Sequence, residues 1–388
     1  MSASDTSERG LERLICTALT GAPCDPGAPA NTVQERPATY AAGWICGAAE
    51  DYDREYCVDL AQLSAFLRAT QPDVCEALDL GQDRPTRRKF LARLQGEVSK
   101  RGTIDVLRHG LKHGPHHIDL FYGTPSPGNT KAEERHAANR FSVTRQLRYS
   151  RDETQRALDL ALFINGLPVA TFELKNSLTK QTVEDAIQQY QRDRDPREKL
   201  FEFGRCVVHF AVDDHEVRFC TSLNGKGSWF LPFNQGWQSG AGNPPNPNGL
   251  KTDYLWKRIL TRASLTDILE NYVQIVETRD EKTGRKRRLL MQAALGGKTP
   301  LKAMKDWFKS NPELFHRRPY DRPGCDNYRT TILAKETGPN KLRNLKAALQ
   351  GSPRTPELRW RPTRRTKTRA RTPTGRTPAS STTWRWRA

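Results

Sequence analysis

Nowhere do the 388 residues offer the roughly 18 consecutive apolar residues that a membrane span requires, so no membrane partner is expected. The start, "MSASDTSERGLERLI", lacks a basic segment leading into an apolar one, which argues against secretion and for a cytoplasmic location. The eight cysteines, at 16, 24, 46, 57, 75, 206, 220 and 325, contain no CxxC and no regular spacing. Neither a zinc site nor a disulfide framework is expected from them, and they read as scattered reduced thiols. Acidic residues are also in short supply, with 44 Asp and Glu against 63 Lys and Arg, leaving a formal charge of +19. Such an excess favours polyanionic partners. Its distribution is uneven: Pro353 to Ala388 hold eleven basic residues and one acid, Glu357.

What is present reads as an α/β core. "SERGLERLICTAL" carries Leu11, Leu14, Ile15, Ala18 and Leu19 at helical spacing, and "DLAQLSAFLRAT" and "RRKFLARLQGEVSKRG" are two further amphipathic helices. Gly102 ends the second of these. Alternating patterns predict strands at "IDVLR", "HIDLFY" and "RFSVTRQLRYS". "TVEDAIQQYQRD" has one apolar face made of Val183, Ala186, Ile187 and Tyr190, and "CVVHFAV" reads as a strand buried on both sides. "EVRFCTSL" and "WFLPF" complete the sheet, and "SLTDILENYVQIVE" is expected to be a closing helix. The expected division is a domain over 1–277, a linker and short helical segment over 278–350, and a disordered Arg/Thr/Pro-rich tail over 351–388.

The stretch "DLALFINGLPVATFELKN" poses the chemical question, because it places Asp159 at one end of an apolar ribbon and Glu173 with Lys175 at the other. Asn165-Gly166 marks a tight hairpin turn, since both residues tolerate positive φ. With a two-residue loop and regular pairing, Asp159 would face Phe172, and the two acids would fall on opposite faces of the sheet. A three-residue loop, or a bulge, brings Asp159 across from Glu173 and puts Lys175 on the same face. In that register Leu158, Leu160, Leu162 and Ile164 pack inward with Phe172 and Leu174. An odd-length loop or a bulge is therefore expected. Two opposed carboxylates repel unless compensated. Mg²⁺ compensates them well, because it takes one or two carboxylates and completes its shell with waters and phosphate oxygens. Lys175 would then orient the attacking water and stabilise charge on phosphate. The alternative is that the acids are exposed strand ends and Lys175 is their salt-bridge partner.

Asp159 with "ELK" resembles the PD-(D/E)xK nuclease signature. Over roughly residues 5–277 the chain resembles the N-terminal nuclease domain of the restriction (R) subunit of type I restriction-modification enzymes. The likeness runs through "YDREYCVDLAQLSAFLRATQP", "IDVLRHGLKHGPHHIDLFY", "NRFSVTRQLRYS", "NGLPVATFELKN", "QTVEDAIQQYQRDRDPRE" and "FLPFNQG" followed by "GNPPNPNG". It implies a restriction-endonuclease-like mixed sheet flanked by helices. It also implies Asp159 and Glu173 as Mg²⁺ ligands, Lys175 as the catalytic lysine, and Gln189 as the glutamine of the following helix that contacts DNA or supports the site. Asp193 stands where the family's tyrosine would be, and periodicity puts Tyr190 on the buried face. A glutamate of the first helix assists in some such nucleases, which raises Glu8 and Glu12, although each reads first as a solvated helix residue. The implied partners are double-stranded DNA and the methyltransferase and specificity subunits.

In those subunits the nuclease domain leads into an ATP-hydrolysing motor, which is not expected within these 388 residues; ATP is implied for the motor alone. Residues 294–326 instead resemble the C-terminal segment of integrase-type transposases, as expected of a reading frame interrupted by a mobile element. The histidines of "HGLKHGPHH", His109, His113, His116 and His117, lie in a predicted loop with no cysteine nearby and read as no metal site. "ALGGKTP" resembles a phosphate loop only at its end, because Gln292 stands where a glycine is needed. Two functions follow: a Mg²⁺-dependent DNA endonuclease domain, or a non-catalytic remnant that binds DNA or docks to the methyltransferase-specificity core without cutting.

Overall fold

The computed structural model describes residues 8–25, 43–152, 155–238, 240–279 and 286–292. A mixed seven-stranded sheet crosses the molecule, its strands in spatial order β1 (Ile45–Cys46), β2 (Phe141–Arg148), β3 (Ala157–Ile164), β4 (Leu167–Leu174), β5 (Val208–Val212), β6 (Val217–Cys220) and β7 (Leu231–Pro232). β1 runs parallel to β2, and β4 parallel to β5; the other neighbours are antiparallel. This is the mixed sheet flanked by helices expected of a restriction-endonuclease-like fold. Every residue of β4 is buried, because helices cover both faces.

On one face, Leu160, Leu162, Ile164, Phe172 and Leu174 join a large core with α1 (Glu8–Thr20), α2 (Leu60–Thr70), α3 (Pro72–Leu78) and α4 (Pro85–Arg101). On the other, Ala161 and Phe163 pack with Tyr190 and Phe201. Leu158 belongs to this second cluster rather than to the first. Pairing of β2 with β3 skips the Gln146–Asp159 position, where Gln146 takes φ 47°, and the expected alternation breaks there.

Several expectations need correction. "IDVLR" is not a strand but α5 (Thr103–His109). Gly102, at φ 86°, ends α4 and turns the chain directly into it, while Arg101 and His109 each reach Asp105 four residues away. "HGLKHGPHH" is a hairpin rather than a loop, with Leu111–His113 antiparallel to His116–Ile118. An exposed helix α6 (Thr130–Ala137) follows. "SLTDILENYVQIVE" forms the helical turns Arg262–Asp267 and Ile268–Tyr272 and then leaves as strand Val273–Arg279, paired with Lys286–Gln292. Val273 and Ile275, β-branched and alternating, favour that extended path; the Ile275 side chain fills the space left by Gly102 and Gly204.

The cysteines are not all free. Cys24, after α1, and Cys46, in β1, form a disulfide with Cα atoms 5.3 Å apart, both buried where the chain leaving α1 meets the edge strand. The segment resembling a transposase end and the basic tail lie outside the described residues. Among the described residues no helix is long and apolar enough to cross a membrane.

Candidate active site

The turn between β3 and β4 has two residues, not three: Ile164 pairs with Leu167, and Asn165 and Gly166 have φ 51° and 84°. It is buried. The Asn165 amide donates to Leu120 O and Asn139 Oδ1 and accepts the Arg140 N–H, while Gly166 O accepts the Asp59 N–H. The parity change comes from a bulge. Phe163 pairs with Pro168 but Leu162 with Ala170, so Val169 is the extra residue. Beyond it Ala161 faces Thr171 and Leu160 faces Phe172, and the same register carries Asp159 across from Glu173. Leu174 N–H donates to Asp159 Oδ2 at 2.7 Å, closing the ribbon.

Asp159, Glu173 and Lys175 are all buried. Glu173, with no exposed surface, is pushed up to about 8 by burial and by the charge of Asp159, against the pull of Arg194 and Lys175. Burial pushes Asp159 up to about 6, with Glu12 and Glu8 adding to the rise and Lys175 opposing it. Four acids and one lysine thus share one field at the end of β4. Lys175 Nζ donates to Glu8 Oε1 at 2.8 Å, and its main-chain N–H to Val212 O. Glu12 is not solvated. It is 1% exposed and bonded to Arg145 Nε at 3.0 Å and Gln146 Nε2 at 2.8 Å. Leu14, expected on the apolar face of α1, is instead turned outward beside Arg13.

The expected glutamine lies on α7 (Val183–Arg192), whose start is fixed by a Thr182–Asp185 capping box and by Asp213 accepting the Val183 N–H. Gln189 is half-buried there, and no hydrogen bond joins its side chain to Asp159, Glu173 or Lys175. Tyr190 is fully buried and bonds Thr171 Oγ1 at 2.8 Å, which in turn bonds His209 Nδ1. The residue of this segment that does reach the acids is Arg194, which sequence reasoning missed. Its Nε donates to Glu173 Oε1 at 2.6 Å. Nothing in "QRDRDPRE" distinguishes one arginine from its neighbours; position 194, one turn beyond the apolar Tyr190, was the available signal.

Glu173 Oε2 is buried with no hydrogen-bond partner. An orphan carboxylate oxygen on an acid that feels the charge of a second raised carboxylate suits a hard cation. Among the described residues no group of three or more His, Cys, Asp or Glu converges as a metal set; Asp159 and Glu173 are the two acids that would hold such a cation.

The mixed sheet, which carries two acids and a lysine at the ends of adjacent strands, is consistent with a restriction-endonuclease-like fold. The family model of the type I restriction enzyme R protein N terminus matches residues 120–228, a stretch that contains β2 to β6, α7, Asp159, Glu173, Lys175, Gln189 and Arg194. No curated protein matches the chain.

Proposed function

We propose that this chain is the nuclease part of a type I restriction subunit, a Mg²⁺-dependent endonuclease domain that hydrolyses DNA phosphodiesters. The observation that carries this reading is the unpartnered buried oxygen of Glu173, on a strand whose bulge shifts the register so that, extended past Leu160–Phe172, it sets Asp159 opposite Glu173. Asp159 and Glu173 would hold the cation, which lowers the pKa of a bound water and offsets charge on the phosphate. Lys175 directs its ammonium at the attacked phosphate once Glu8 releases it, and donates to the developing negative charge. Gln189, on the half-buried face of α7, supports the site or meets DNA. DNA and the methyltransferase and specificity subunits are the proposed partners.

A second reading, a remnant that binds DNA without cutting, is favoured by one observation: Lys175 is already engaged by Glu8 at 2.8 Å. Nicking of supercoiled plasmid at millimolar Mg²⁺, native chain against Lys175→Ala, separates the two. The endonuclease reading requires a loss of about 100-fold or more. DNA shifted in a gel by both proteins but nicked by neither establishes the remnant.

A further inference from the structure

Arg194 is buried at 5% exposure and divides its guanidinium among three groups. Nε donates to Glu173 Oε1 at 2.6 Å, Nη1 to the Tyr149 hydroxyl at 3.4 Å, and Nη2 to Ala157 O at 2.7 Å. Its central carbon lies 5.6 Å from the centre of the Tyr149 ring. Ala157 opens the strand that carries Asp159, and Tyr149 lies just past the end of β2. One planar side chain therefore ties Glu173 to the strand of its partner acid and to the strand beyond.

The bond to Glu173 is made through a single nitrogen. A guanidinium that simply neutralised the acid would gain most from a two-pronged grip on both oxygens. Here the fork is spent on fixed groups, and Oε2 stays free. We infer that Arg194 is a positioning residue: it sets the rotamer of Glu173 so that Oε1 is anchored and Oε2 is presented toward Asp159 for a divalent cation. This rests on the endonuclease reading above. A lysine could keep the charge but not the fork, because an ammonium cannot reach three groups in one plane. A residue that only supplied charge would act in the opposite sense, since its removal relieves repulsion of the incoming cation.

The test is Mn²⁺ binding to the metal-free chain without DNA, followed by electron paramagnetic resonance, with circular dichroism to establish folding. Arg194→Lys and Arg194→Met are both expected to bind Mn²⁺ about tenfold or more weakly than the native chain. In nicking assays they should need correspondingly more Mg²⁺ while recovering most of the rate at saturation. Folded variants that bind Mn²⁺ as tightly as the native chain, or more tightly, overturn the inference. Should both variants fail to fold, Tyr149→Phe, which removes one anchor, is expected to weaken Mn²⁺ binding a few-fold, and unchanged affinity there overturns it equally. A native chain that binds no Mn²⁺, or binds it no better than Glu173→Gln, instead overturns the endonuclease reading and removes the ground for this one.

Discussion

Asp159 Oδ2 accepts the main-chain N–H of Leu174 at 2.7 Å, so the acid at the start of one strand is bonded to the residue lying between Glu173 and Lys175 on the next. The bond spans a ribbon whose register was reset by the single extra residue Val169. That reset shifts the pairing of β3 and β4 by one residue on the side of the ribbon that carries both acids.

Buried acids give the metal-free chain a defined pH response. Burial, with Asp159 adding to it, lifts Glu173 from 4.5 to about 8, and burial lifts Asp159 from 3.8 to about 6. Between about pH 4 and 8 the folded chain therefore holds protons that the unfolded chain has released, and stability falls as pH rises. Melting in EDTA at pH 5 and pH 8 should show the loss. Glu173→Gln should flatten the profile and melt higher than the native chain at pH 8. A native profile that rises over this range counts against the burial argument.

Gly166 admits no side chain. At φ 84° an added Cβ would lie 2.5 Å from Asp59 O and 2.8 Å from Leu63 Cβ. Gly166→Ala should cost on the order of 1–3 kcal/mol in urea unfolding from the backbone strain alone, with the contact to Asp59 adding to it. An unchanged midpoint would mean that the turn can relax.

The Cys24–Cys46 bond closes a loop with a sequence separation of 22. Loops of that size are worth about 3 kcal/mol. Cys46→Ser, or the native chain under reductant, should melt several degrees lower than the oxidised chain. Identical melting with and without reductant would show that the bridge contributes nothing to stability.

Eleven of the basic residues lie in Pro353–Ala388 beside a single acid. Ending the chain at Gly351 should weaken DNA binding at low salt and reduce the slope of log affinity against log salt. An unaltered slope would place all the phosphate contacts before residue 352.

Much of the fold was legible because its signals are local. Asn165-Gly166 announces the turn, the apolar face of Val183, Ala186, Ile187 and Tyr190 announces α7, and Gly102 announces the end of α4. The errors were local as well. Alternation in "IDVLR" suggested a strand, but the chain leaving Gly102 is hydrogen-bonded to distant Gly204 through Thr103 N–H, and Ile104, Val106 and Leu107 bury their side chains as a helix. The candidate site was partly legible: Asp159, Glu173 and Lys175 stand out as polar ends of an apolar run, while no hydrogen bond joins the Gln189 side chain to them.

The sequence by itself determined the turn, the apolar ribbon and the polar residues at its ends, because each depends on neighbours a few bonds away. Only the tertiary structure decided that a bulge, placed at Val169, rather than a longer loop sets the register, and it alone decided the burial of Glu12, the bridge between Cys24 and Cys46, and the hold of Arg194 on Glu173. Arg145 meets Glu12 from 133 residues away and Arg194 meets Glu173 from 21. A charge can be buried only where such distant partners arrive together, and that condition is set by packing of the whole chain rather than by any short stretch of it.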